Sequence, residues 1–242
     1  MKAIILAAGA STRLRPLTED LPKCLLPLNR DVVIDHQIRC LARFAVDHIL
    51  VVAGYKRDLV QEHVANAETS IPISVIQNEL FQQTDNAFSL SLALDHINVN
   101  NDTVLLLDGD ILFEVELLKE LIDSPHDNAC IVDNRKEVLP EDCKVTVKNN
   151  TATRIGKRVP GRVVYTSMIK LSGDFLKSFA RGLKEPRARP EWYSEPLDRL
   201  LIKYPSTLYV INADGLLRCE IDTYDDLLYA RELYQQIKKR EP

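Results

Sequence analysis

The chain has 242 residues, 45% of them hydrophobic and 27% charged, which excludes an intrinsically disordered polymer and leaves room for one substantial core. A net charge of -4 provides no general basic field for nucleic acid or an anionic membrane, so neither is expected as a partner. Five cysteines, an odd number without a C-x-x-C pair, read as reduced thiols of a cytoplasmic protein, and no apolar run approaches the roughly 18 residues of a membrane span.

In chain order, Ala3-Leu6 is a short continuous apolar run that predicts a buried strand, and the segment from Leu6 to Thr18 follows it. Ile34, Ile38, Leu41 and Ala45 recur at helical spacing, and Ile49-Ala53, Ile73-Ile76 and Val104-Leu107 predict further central strands. Between the last two, Asp85 is placed to cap a helix carrying Phe88, Leu92 and Ile97. This alternation predicts a parallel sheet with crossover helices. After Asp110 the grammar changes. Cys130-Asp133, Lys144-Lys148 and Arg162-Lys170 predict strands with fewer helices between them, a mixed or antiparallel extension of the sheet. Two prolines make Lys184-Pro190 a loop, the segment most expected to be mobile. Tyr224, Leu227, Leu228, Leu233 and Ile237 mark one face of a final helix that ends in Lys238-Lys239-Arg240. One domain is expected, closing with a C-terminal helix (about 221–242).

The chemistry begins in the first loop. Ala7, Ala8, Gly9, Ala10 and Ser11 carry little side-chain bulk, so backbone amides after the first strand can approach an anion. Arg13 supplies a guanidinium fork and Lys23 a point charge, the pair suited to a polyphosphate. Either residue alone would be read as solvated surface charge. Neither a Walker loop nor a G-x-G-x-x-G dinucleotide loop is present. Asp110 closes a strand and Asp222 precedes the last helix. As isolated residues both would be caps, but two converging carboxylates can hold a hard cation such as Mg²⁺.

The run Leu6-Ala7-Ala8-Gly9-Ala10-Ser11-Thr12-Arg13-Leu14-Arg15-Pro16-Leu17-Thr18, with Pro22-Lys23-Cys24-Leu25-Leu26-Pro27, resembles the paired signature of the nucleotidyltransferase (pyrophosphorylase) family. Asn86-Ala87-Phe88-Ser89-Leu90, Leu107-Asp108-Gly109-Asp110, Cys143-Lys144-Val145, Trp192-Tyr193 and Glu220-Ile221-Asp222-Thr223 extend the resemblance toward the small cytidylyltransferase branch that includes phosphocholine cytidylyltransferases. The resemblance implies an α/β Rossmann-like fold, with a mixed, mostly parallel central sheet flanked by helices and a small strand-rich acceptor lobe. Within the single domain it makes about 1–113 the nucleotide-binding half and about 114–220 the acceptor-binding part, ahead of the C-terminal helix (about 221–242). It implies a Mg²⁺-dependent transfer of CMP from CTP to a small phosphorylated or phosphonylated alcohol, amine or amide, with release of pyrophosphate.

The resemblance further implies residue roles. Arg13 and Lys23 act on the departing pyrophosphate, and Asp110 and Asp222 hold the metal, with Glu220 beside them. Ala7, Ala8, Gly9, Ser11, Thr12, Asn86, Ser89 and Asp108 bind the nucleotide, and Gln77 or Asn78 reads the base. Lys144 and Lys157 face the acceptor phosphate, although read alone each is an exposed edge lysine. Trp192 with Glu195 offers an aromatic face and a carboxylate for an ammonium, or else the Trp-Tyr pair anchors a helix. Where relatives carry an acidic residue in an acceptor-facing strand, this chain has Gly161-Arg162-Val163. With Arg187 and Arg189, that substitution points to an acceptor with extra negative charge.

Three other readings compete. A sugar-1-phosphate nucleotidyltransferase using UTP or dTTP shares the Ala-Ala-Gly motif. A glycosyltransferase shares Asp108-Gly-Asp110 but not Arg13 and Lys23, and a nucleotide-sensing subunit without chemistry need not keep all four charged residues. No histidine sits in a motif, and none is needed as a base because a phosphomonoester is already anionic near neutrality. A homodimer is compatible with the sequence.

Overall fold

The computed structural model describes residues 1–134 and 137–240. The first apolar run is β1 (Lys2–Ala7), followed by 3-10 turns at Thr12–Leu14 and Lys23–Leu25. A small hairpin, β2 (Pro27–Leu28) and β3 (Asp31–Val32), leads into α1 (Val33–Leu41). Next come β4 (His48–Ala53), α2 (Arg57–Ala65), β5 (Ile73–Gln77), α3 (Asn86–Leu94) and β6 (Val104–Asp108). β7 (Ile111–Phe113), α4 (Val115–Asp123), β8 (Ala129–Asp133), β9 (Lys144–Lys148) and β10 (Thr151–Gly156) follow. The chain ends with β11 (Val163–Leu171), α5 (Gly173–Leu183), α6 (Ser194–Lys203), β12 (Tyr209–Asn212), β13 (Arg218–Glu220) and α7 (Tyr224–Arg240).

The central sheet runs β5-β4-β1-β6-β11-β8-β12-β10-β9. β5, β4, β1 and β6 are mutually parallel, in registers such as Ile4↔Leu50 and Ile4↔Leu106. β11 then crosses antiparallel to both β6 and β8, and Val163 and Val164 of β11 also pair with β9, so the far end of the sheet curls back on itself. The region expected to be poor in helices contains α4, α5 and α6. Their apolar faces, such as Phe175, Leu176 and Phe179 of α5, cover the sheet extension. β12 and β13 escape a sequence reading because they are short and none of their residues is fully buried, and β10 because its sequence, Thr-Ala-Thr-Arg-Ile-Gly, carries only two apolar side chains. Asp85 is the N-cap residue of α3, but its carboxylate makes no capping hydrogen bond.

Alternation along β1 builds the layers. Ile4 and Leu6 face α3, α5 and α6, whereas Ala3 and Ile5 face α1, α2 and α4. A third cluster gathers Leu14, Leu28, Leu112 and Ile221 under Leu227, Leu233 and Ile237 of α7. It packs the signature turn, β7 and the start of α7 against one another, and so positions Arg13, Asp110 and Asp222 beside them. Cys24, Cys40 and Cys130 are buried, and Cys143 and Cys219 are half-buried. Among the described residues no helix is long and apolar enough to cross a membrane.

Candidate active site

A cleft of about 410 Å³ opens where β1 and β6 end, the edge at which open α/β sheets bind ligands. Leu6, Ala8, Gly9, Ser11, Arg13 and Lys23 line one side of it. Ser11 adopts the left-handed conformation (φ 46°), and its carbonyl accepts a hydrogen bond of 2.8 Å from the fully buried Thr18 hydroxyl. Nothing lies within 4 Å of where a Cβ on Gly9 would sit, so that volume is open to a ligand.

Three carboxylates meet opposite the loop. Asp110 stands on the turn between β6 and β7. β13 pairs antiparallel with β7 so that Glu220 lies against Ile111, and the Ile221 amide donates to the Asp110 carbonyl at 3.0 Å. Asp110, Glu220 and Asp222 each offer an oxygen within 4.8 Å of the others. Lys23 Nζ donates to Asp110 Oδ2 at 2.7 Å and to Asp222 Oδ1 at 2.8 Å, and Arg13 Nη2 lies 2.8 Å from the same Asp222 oxygen. Burial opposes charge on Lys23, but the two aspartates outweigh it and hold the ammonium well above the ordinary lysine pKa. Burial likewise raises Asp222, and Lys23 with Arg13 overcomes it to leave the carboxyl below its usual range. Glu220 is open to the cleft solvent but crowded by protein atoms and by Asp110, Asp222 and Asp108, which push it up to about 8. Asp108 is raised to about 7 by burial and by Asp110, and it accepts a hydrogen bond from the Tyr193 hydroxyl at 3.3 Å.

These oxygens fit a hard divalent cation. They are clustered acidic donors, and Asp110 Oδ1 is buried without a hydrogen bond among the described residues. Lys23 holds the carboxylates together by the same electrostatics that a cation would use.

Of the residues expected to bind the nucleotide, Asn78, Asn86, Ser89 and Asp108 line the cleft, with Phe81, Thr84 and Asp85 beside them. Asn78 is buried and donates to Ser89 Oγ at 3.0 Å, whereas Gln77 is exposed at the end of β5 and outside the cleft. Of the two residues offered as base readers, the structure presents Asn78. Asn86 Oδ1 accepts the Tyr193 amide at 2.8 Å. Thr12 is exposed and Ala7 is covered by Gly109, and neither lines the cleft.

The acceptor side departs further from expectation. Lys157 lines the cleft, but its ammonium rests over the Trp192 ring at 4.3 Å from the centroid. Glu195 lies outside the lining and pairs with Arg189 at 2.7 Å, so the aromatic face and carboxylate expected for an ammonium are both engaged by this chain's own cations. Lys144 also lies outside, donating to the carbonyls of Pro140 and Asp142 at 3.0 and 3.2 Å. Arg162 is exposed and outside the lining, and Arg187 pairs with Glu185 and Glu191. The cations that suggested extra negative charge on the acceptor therefore do not face the cleft, whose lining carries the carboxylates of Asp85, Glu141 and Asp142 instead.

Tyr165, Ser167 and Ser194 join this lining without having been singled out. Ser167 has φ 60° at an irregularity in the β11–β8 pairing, and a serine inside an apolar strand run was the one available signal. None of the histidines lines the cleft.

The family model described as nucleotidyl transferase matches residues 2–135. The UTP–glucose-1-phosphate uridylyltransferase of Haloferax volcanii is 30% identical over 224 residues, 89% of each chain. The CTP:phosphoglutamine cytidylyltransferase of Campylobacter jejuni is 25% identical over 94% of this chain and 98% of its own. The solved structure of the inositol-1-phosphate CTP transferase from T. maritima shares the fold, with a TM-score of 0.82 at 24% identity over 100% of this chain and 97% of that one. With more than half of its length matched by that family model and with relatives along nearly all of it, the chain belongs to the nucleotidyl transferase family and is a nucleotidyltransferase.

Proposed function

We propose that the enzyme transfers CMP from CTP to a small phosphorylated or phosphonylated acceptor, with Mg²⁺, and releases pyrophosphate. The observation that carries the reaction is Lys23 bridging Asp110 and Asp222 beneath an anion-sized loop. Asp110 and Asp222, with Glu220, would hold Mg²⁺, which when bound supplies charge neutralisation to phosphate oxygens. The loop amides from Ala8 to Ser11 hold the triphosphate, and Arg13 and Lys23 offset the charge that develops on the leaving pyrophosphate. The acceptor's phosphate oxygen attacks the α-phosphorus in line; already an anion, it needs no protein base. The cytidylyltransferases among its relatives support the choice of CTP.

Lys157 is the cation available to the acceptor's phosphate. The carboxylates of Asp85 and Glu141 suit hydroxyl, amide or primary ammonium donors. A second reading, transfer of UMP or dTMP to a sugar 1-phosphate, is favoured by the uridylyltransferase at 30% identity.

Pyrophosphate release measured with the four nucleoside triphosphates against both acceptor classes separates the two. Turnover with CTP and a phosphorylated alcohol, amine or amide is expected, whereas turnover confined to sugar 1-phosphates with UTP or dTTP establishes the second reading. Asp110→Asn is expected to lower kcat by about a hundredfold or more while the protein still folds. Undiminished turnover would remove Asp110 from the metal site.

A further inference from the structure

Gln37 lies in the middle of α1 and is 0% exposed, at a position where a helix packed under a sheet usually carries an apolar side chain. Its carboxamide reaches the turn between β6 and β7. Nε2 donates to the carbonyl of Asp108 at 2.9 Å and to the carbonyl of Ile111 at 2.9 Å. One amide group thus ties the first and last residues of the turn, with Gly109 and Asp110 held between them. The neighbouring His36 side chain adds a 2.7 Å hydrogen bond between Nε2 and the Phe113 carbonyl, where β7 ends.

The arrangement costs the fold something. Gln37 Oε1 is buried and has no hydrogen-bond partner among the described residues, so its desolvation is not repaid within the protein. A methionine or leucine there would incur no such cost. Turning the amide over would aim its oxygen at two carbonyl oxygens, so only the observed orientation is compatible with the turn.

We propose that Gln37 is a positioning residue for Asp110: it staples the Asp108–Ile111 turn so that the Asp110 carboxylate meets Glu220 and Asp222 at cation-binding separation. The inference rests on the reading that these carboxylates hold the divalent cation. The other ties of the turn, Gly109 N to Leu6 O at 2.8 Å and Ile221 N to Asp110 O at 3.0 Å, fix it to β1 and to the residue after β13. The backbone closes the turn across Gly109 and Asp110, and Gln37 adds a buried side-chain link between the carbonyls at its two ends.

The test is Mn²⁺ binding followed by the EPR signal of free Mn²⁺, without substrates, in the wild type, Gln37→Met and Leu176→Ala. The last removes core volume on α5, away from the turn, and controls for lost stability. Gln37→Met is expected to raise the Mn²⁺ dissociation constant by about tenfold or more, with Leu176→Ala within about twofold of the wild type. In turnover, the metal concentration for half-maximal rate should rise while kcat at saturating metal falls less. Equal effects of the two substitutions, or none from Gln37→Met, overturn the positioning role. A wild type that does not bind Mn²⁺ overturns the metal reading itself, and the inference falls with it. Should Gln37→Met not fold, Gln37→Asn, whose amide is one methylene too short to span both carbonyls, is read by the same criteria.

Discussion

Gly9, which lines the cleft, and Gly109, which lies behind it, do opposite work. Gly9 faces empty space, whereas a Cβ on Gly109 would lie 2.8 Å from the Leu6 carbonyl and 3.0 Å from the Ala7 side chain. Gly9→Ala is therefore expected to leave stability within about 1 kcal/mol of the wild type, because nothing in the protein opposes the methyl. It should raise the KM for the triphosphate, because the methyl enters the ligand's space. Gly109→Ala should cost about 1–3 kcal/mol through the forced shift of the β1 end. Chemical denaturation and steady-state kinetics on both variants check the contrast; a destabilised Gly9→Ala with normal KM would contradict it. The small-residue loop was legible because its chemistry lies in consecutive residues. Gln37 was not, because in sequence a glutamine amid helical hydrophobes looks like a solvated position, and only the turn that it reaches gives the amide a purpose.

At the scale of elements, the site depends on how α7 begins. Asp226 Oδ2 accepts the amides of Asp222 at 3.0 Å and Thr223 at 2.7 Å, and the Thr223 hydroxyl receives the Asp226 amide at 3.2 Å, a reciprocal cap. The cap therefore fixes the backbone of Asp222. Asp226→Ala is expected to cost about 1 kcal/mol, a fall in Tm of about 2–4 °C for a chain of this size. It should also weaken activation by Mg²⁺. Calorimetry paired with a metal titration of the rate tests this, and a lowered Tm with unchanged metal dependence would confine Asp226 to stability. The sequence placed the last helix from its apolar spacing. It could not show that β13 would pair with β7, because a strand of three residues with none fully buried carries no period, and that pairing is what brings Glu220 beside Asp110.

Across the whole molecule, distant segments are joined by a charged tie on the side of α1 that meets α7. Arg39 Nη2 donates to Asp31 Oδ2 at 2.8 Å and to the Tyr234 hydroxyl at 2.7 Å, and Tyr234 in turn donates to Asp31. Burial raises the Asp31 carboxyl, but Tyr234 and Arg39 outweigh it and hold the group below 3.8. A carboxyl depressed in the folded state contributes its stability fully above the unfolded pKa and loses it as pH falls through the folded value. Asp31→Asn should therefore be less stable than the wild type at pH 6, with the gap narrowing as the pH falls below 3.8. Urea unfolding of the two proteins at pH 6 and near pH 3 measures it, and a gap independent of pH would remove the ionised carboxylate from the tie.

By itself the sequence determined what is local in the chain: the strand before the loop, the small residues that admit an anion, the charged types Arg13, Lys23, Asp110 and Asp222, and hence the reaction class. Tertiary structure alone decided which groups are free to act. It set Lys157 over Trp192, gave Glu195 to Arg189, turned Lys144 onto backbone carbonyls and left Arg162 outside the cleft. The reason is physical. A residue's type states which interactions it can make, but whether a charge meets substrate or a neighbour depends on distances between segments far apart in the chain. Here those distances are set by the β7–β13 pairing, the curled sheet edge and the packing of α7.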